Sequence, residues 1–295
     1  MRTPVRLAVV AAGLGAVFAA AVGVGAAVGP VRTPEAHPAA AAPAPEHAAT
    51  GAGYVLDVLG EQPAAGTATV AFRVLGPDGA PVTEYRQDHG EDLHLVAVRA
   101  DLSGYQHVHP DRAPDGTWRV PLTLTPGSWR LVADTTPAAA GEDDDTEGIA
   151  LTADLQVAGT YDPQPLPEPA AVTEVDGYTV VLTGEPTAGA ESELTFSVSR
   201  DGRPVTDLQP YLGAYGHLVA LREGDLEYLH VHPVEDAHVA PAPGPHVAFA
   251  ATAPSAGTHR LFLDFRHGDA VHTAAFTVQV TGTAADESAA HGHGG

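Results

Sequence analysis

The chain has no cysteine, and its single methionine is Met1. Without thiols there can be no disulfide, thiolate nucleophile, iron–sulfur cluster or zinc ribbon, and without an internal thioether there is no methionine coordination of the kind that favours Cu(I). Any metal site must therefore be built from nitrogen and oxygen. The lack of disulfides does not place the chain in the cytosol, because exported bacterial domains can rely on core packing alone. Basic residues are also scarce. Lys and Arg together number 14 against 37 Asp and Glu, a net charge of −23, which argues against nucleic acid as a partner. Such acidity keeps copies soluble and apart, and it draws cations towards the surface. No nucleophile, acid pair or phosphate loop stands out, so the reading is of a protein that is not an enzyme.

What the chain does have, it has twice. His94, His107, His109 and Pro110 recur as His217, His230, His232 and Pro233, a constant 123 residues later, and both copies read H-x12-H-x-H-P. Over residues 78–110 against 201–233, 16 of 33 positions are identical without a gap. A duplicated module is the simplest account. The residues between the histidines differ (RADLSGYQ against REGDLEYL), so the imidazoles look like part of the module's purpose.

Residues 7–29 carry no charge and follow Arg2 and Arg6, which predicts a membrane-targeting segment. At about 1.5 Å per residue, its 23 residues are long enough to cross a hydrocarbon core of about 30 Å. The expectation is an uncleaved single-pass anchor over 1–29 with the later domains outside the cytoplasm. The rival is cleavage near Gly23–Ala27, releasing a secreted protein. Residues 30–52 read as an Ala/Pro-rich tether and 159–176 as a stiff Pro-rich linker around Tyr161–Pro169; 283–295 read as a disordered His-containing tail. The acidic run 142–147 lacks the ligand spacing of a calcium loop and reads as a solvated insert.

Between these segments, residues 53–158 and 177–282 each divide into about seven short runs rich in Val, Leu, Thr and aromatics, separated by turn signals such as Pro114-Asp115-Gly116 and Asp201-Gly202. The predicted fold class is all-β: two tandem immunoglobulin-like β-sandwiches after an N-terminal transmembrane helix.

Strand alternation puts His107 and His109 on one face. If the hairpin is symmetric about the turn near Asp101 and Leu102, His94 lies opposite His109 with His107 on the neighbouring diagonal. All three imidazoles then converge at distances that suit one ion. The same reading applies to His217, His230 and His232, giving one site per repeat. Neutral imidazole suits Cu(II), Zn(II) and Ni(II), and the Irving–Williams order favours Cu(II), with Zn(II) second. His89, His238 and His246 are candidate fourth ligands, whereas His37, His47, His259, His267, His272, His291 and His293 read as linker, surface or tail residues.

The strings LHLVAVRADLSGYQHVHP and PYLGAYGHLVALREGDLEYLHVHP, with Gly257–Phe265 after them, resemble bacterial exported or membrane-anchored sandwich modules known as heavy-metal-binding or YtkA-like. The resemblance spans about 53–158 and 177–281 and implies that the six histidines are metal ligands in a copper-handling setting. The expected partners are the membrane through residues 7–29, a divalent metal ion and another envelope metal-handling protein. The competing expectation is a non-catalytic extracytoplasmic scaffold whose histidines are structural.

Overall fold

The computed structural model describes residues 53–88, 90–140, 148–211, 213–234 and 242–282. The expected anchor, tether, acidic insert and tail, with His37, His47, His89, His238, His291 and His293, lie outside these residues. Among the described residues no helix is long and apolar enough to cross a membrane.

The first repeat comprises β1 (Val55–Leu59), β2 (Gly66–Leu75), β3 (Tyr85–Arg86), β4 (Leu93–Arg99), β5 (Gln106–Val108), β6 (Asp111–Arg112), β7 (Thr117–Leu124), β8 (Gly127–Pro137) and β9 (Ile149–Val157). One sheet runs β1-β2-β7-β6; the other runs β3-β8-β4-β5, with β9 also paired to β8. The second repeat comprises β10 (Val172–Val175), β11 (Tyr178–Thr183), β12 (Glu191–Arg200), β13 (Arg203–Pro204), β14 (His217–Arg222), β15 (His230–Pro233), β16 (His246–Thr252), β17 (Gly257–His267) and β18 (Ala270–Val280). Its sheets are β10-β11-β12-β16-β15, with β13 on β12, and β14-β17-β18. The chain is thus all-β with two sandwiches in tandem.

Turn chemistry explains much of this layout. Asp201 and Gly202, at φ 51° and 72°, close β12 onto β13 as a two-residue hairpin whose twist matches that of the strands. Asp176 and Gly177, at φ 50° and 83°, do the same between β10 and β11. That hairpin corrects one boundary: Val172–Val175, assigned to the linker because of the prolines before it, is an edge strand. The prolines themselves stay out of the ladders, having no N–H to give.

Each sandwich has its own core. Phe72, Leu95, Leu122, Trp129 and Leu131 centre the first; Tyr178, Phe196, Phe249, Phe265 and Phe276 centre the second. Trp129 shows how local choices interlock. Its indole N–H donates to the Thr125 carbonyl at 2.8 Å, and its ring lies where a Cβ on Gly104 (φ 67°) would stand 2.6 Å away. The second repeat puts the smaller ring of His259 in the place of Trp129.

A third apolar cluster joins the repeats: Val96, Val98, Leu102 and Val132 meet Val219, Leu221, Leu226 and Phe262. The partners are equivalent by the duplication, Val96 to Val219, Val98 to Leu221 and Val132 to Phe262. Leu102 and Leu226 both adopt positive φ, 61° and 58°, in the matching turns. The contact is thus nearly isologous, as in a twofold dimer. It explains why every residue of β4 is buried: Leu93, Leu95 and Ala97 face the sandwich core, and His94, Val96 and Val98 face the other repeat. Each buried apolar side chain here contributes roughly 1.5–3 kcal/mol.

The linker is strapped to this face. Arg99 holds Asp101 through two hydrogen bonds, 2.9 and 2.6 Å, and donates to the Asp162 carbonyl at 3.1 Å, while the Gln164 amide donates to Asp101 at 2.7 Å. Burial would raise the Asp101 carboxyl, but Arg99 and these amide donors hold it well below the usual range.

Candidate metal centre

The register of the β4–β5 hairpin decides what the first three histidines can do. Leu95 faces Val108 and Val96 faces His107, a register that sets His94 across from His109 and turns all three imidazoles to the inter-repeat face. One ring nitrogen of each of His94, His107 and His109 lies within 4.8 Å of the others. His94 Nδ1 stands 3.2 Å from each of the other two.

The outer nitrogens fix the tautomers. His94 Nε2 lies 3.2 Å from the Asp88 carbonyl oxygen, which only an N–H satisfies, so Nδ1 carries the lone pair. His107 Nδ1 donates to Asp264 Oδ2 at 3.0 Å, leaving the lone pair on Nε2. Two lone pairs therefore face one another, an arrangement suited to a metal ion between them; without one, His109 Nε2, 3.2 Å from His94 Nδ1, can donate to it instead. Two ligands at about 2.0–2.1 Å from a tetrahedral ion are about 3.3 Å apart, close to the spacing seen.

Ring separations give an independent check. Imidazole centres on one tetrahedral ion lie about 5.2 Å apart when each nitrogen is at about 2.05 Å. The observed separations are 5.4, 5.0 and 5.2 Å for the three pairs. The group is also dry on one side, since His94 is buried and the His107 side chain is 6% exposed. Burial, and then the neighbouring His107, His94 and His217, lower the pKa of His109 to about 4, so it is neutral and able to ligate at pH 7.

Asp264 was not singled out from the sequence, yet it comes from β17 of the second repeat and reaches the first. It accepts hydrogen bonds from His107, from the Tyr105 hydroxyl at 3.0 Å and from Thr273 at 2.6 Å. Burial, and then Asp264 itself, push the Tyr105 pKa well above its ordinary value, so the phenol stays a donor; its ring stacks on Phe262 at 4.0 Å. A carboxylate on the far nitrogen of a ligating histidine is a recurrent outer partner in metal sites. A signal for it exists: G-x-x-R-L-x-x-D occurs at Gly127–Asp134 and again at Gly257–Asp264, 130 residues apart. Seven extra residues after Pro233 hide it from an ungapped comparison. Asp134 pairs in register with His94 as Asp264 does with His217.

The second set of histidines is arranged differently. His217 opens β14 and faces the first triad, its ring centre 6.2 Å from His94 and 6.1 Å from His107. Its Nε2 donates to the Tyr211 carbonyl at 2.8 Å. His230 and His232 lie on β15, which pairs with β16 in the other sheet. His232 is about half exposed and 3.9 Å from Glu191; the side chain of His230 lies outside the described residues. A cavity of about 100 Å³ lies beside His94, His107 and His217, with Asp88, Asp134 and Tyr228 also in its wall.

Three histidines read as surface residues are not all at the surface. His259 is fully buried in the place of Trp129; burial lowers its pKa and Nδ1 donates to the Gly257 carbonyl at 3.0 Å. His272 is buried between Tyr178 and Phe265 and bonded to Asp176 at 2.8 Å. His267 is partly buried and shares a 2.7 Å hydrogen bond with the Tyr178 hydroxyl. His246, a candidate fourth ligand, is exposed on β16 and bonded to Ser197 at 2.8 Å.

The model of the family described as "Domain of unknown function (DUF8832)" matches residues 48–161 and 173–282. The chain belongs to that family, in two copies. No curated protein matches it. Among solved structures it is similar to FdeC, a broadly conserved Escherichia coli adhesin, with 18% identity and a TM-score of 0.25 over 80% of this chain. The chain spans 66% of that one. It is also similar to bovine butyrophilin, with 10% identity and a TM-score of 0.21, over 78% of this chain and 99% of the other.

Proposed function

We propose that this protein is an extracytoplasmic metal-binding protein, not a catalyst, that holds a divalent transition-metal ion at His94, His107 and His109 and buffers it or hands it on. The observation that carries the reading is the pair of facing lone pairs, His94 Nδ1 and His107 Nε2, 3.2 Å apart with their outer nitrogens held by Asp88 and Asp264. Three neutral imidazoles and no thiolate suit Cu(II) first and Zn(II) second. The resemblance to YtkA-like modules supports an envelope setting, with residues 7–29 as membrane anchor and another envelope metal-handling protein as the donor or acceptor of the ion.

The test is calorimetric titration of the chain with Cu(II) and then Zn(II) at pH 7, beside a His107→Ala/His109→Ala variant. Tight stoichiometric binding that the variant loses, while its metal-free melting curve is retained, supports the reading. Weak heats from both proteins would contradict it and leave the histidines as structural members of a scaffold.

A further inference from the structure

Resting on that reading of the triad, we propose that His217 is a fourth ligand, so that the ion sits between the two repeats and clasps them together.

The duplication makes His217 the counterpart of His94, and the two are held in the same way. Each donates Nε2–H to the carbonyl oxygen of the residue six positions earlier, Asp88 for His94 and Tyr211 for His217. That shared anchor gives His217 the same tautomer, with the lone pair on Nδ1. The two rings are 6.2 Å apart and inclined by 29°.

Distance decides whether His217 can join. Ring centres on one ion are about 5.2 Å apart for a tetrahedral arrangement and about 6.4 Å apart for opposed ligands. His217 falls between these limits at 6.2 Å from His94 and 6.1 Å from His107. A shift of about 1 Å, through the cavity that His217 borders with His94 and His107, brings its ring to the tetrahedral spacing from those two. The second repeat already reaches the triad through Asp264, so the clasp adds a bond to an existing contact. Four neutral nitrogens match the preferences of Cu(II) and Zn(II) and disfavour Mg(II), Ca(II) and Mn(II), which take oxygen ligands.

The experiment is Cu(II) titration of the full chain and its His217→Ala and His217→Gln variants, with a chelator competitor, followed by electron spin echo spectroscopy of each loaded protein. Binding at the triad is expected to survive in both variants with affinity about 10–100-fold lower. The echo modulation should lose one imidazole, and the metal-induced rise in melting temperature should shrink. Metal-free melting curves of the two variants control for folding. Unchanged affinity and an unchanged imidazole count would overturn the clasp while leaving the triad intact as a metal site. Absence of binding by the wild-type chain would overturn both.

Discussion

The two repeats carry the same H-V-H-P string on the same kind of strand, yet place it against different neighbours. Up to the residue before the string they agree: Gln106 pairs with Ala97, and the Leu229 amide bonds the Ala220 carbonyl, its counterpart. They then part. In the first repeat the strand stays on β4 through Val108, and the chain crosses to β7 only at β6, after Pro110. In the second, His230 is already paired with Thr252 on β16. The residue at the fork differs. The exposed Gln106 amide bonds both the N–H and the carbonyl of Thr123, standing in for a strand residue on β7 while its own backbone remains with β4. Leu229 is buried at 2% exposure in the second core. Among the described residues, the histidine nitrogens gather within reach of one ion in the first repeat, where the strand stays in register on β4.

That contrast can be broken at several points. The largest effect is expected at the borrowed carboxylate. Asp264→Asn should lower metal affinity about 10–100-fold by removing the negative charge behind His107, while Asp134→Asn, its counterpart across the pseudo-dyad, should cost less. Competition with a chelator of known affinity measures both. Next, Gln106→Leu gives the first repeat the fork residue of the second and should weaken the triad by about tenfold, in line with loss of an outer-shell support. An unchanged affinity there would mean that the fork residue does not choose the sheet.

Stability sharpens the comparison further. Gly104→Ala forces a Cβ to 2.6 Å from Trp129 at a positive φ and should cost about 1–3 kcal/mol in urea denaturation. Glu227→Ala, in the matching turn of the second repeat, should cost about 0.5 kcal/mol or less. A further check is the effect of pH on the metal-free protein. The His109 pKa is lowered in the fold to about 4 from 6.5, so between those values the unfolded chain binds the extra proton. Its contribution to stability is therefore level above about pH 6.5 and falls as the pH drops towards 4. Thermal melts across that window should decline for the wild type and flatten for His109→Gln.

Much of this was legible in the sequence. Turn residues and period-two runs located most strands of both sandwiches, and hairpin symmetry placed His94 opposite His109. What could not be read was how the repeats meet. LHLVAVR is apolar nearly throughout, which in an antiparallel sheet means burial on both faces, but the sequence does not say against what. Because that partner is the other repeat, Asp264 and His217 are brought to a site that spacing alone assigned to one hairpin. Val172–Val175 was obscured by its prolines, although Asp176-Gly177 is a strong hairpin signal. The buried counterpart of His259, Trp129, was hidden from an ungapped comparison by the residues inserted after Pro233.

The most direct test of a single centre between unlike repeats is the number of tight Cu(II) equivalents per chain, measured against a competing chelator for the wild type, His107→Ala/His109→Ala and His230→Ala/His232→Ala. The account predicts one tight equivalent, lost in the first variant and kept in the second. Two matched equivalents, or loss of the tight one on removing His230 and His232, would contradict it.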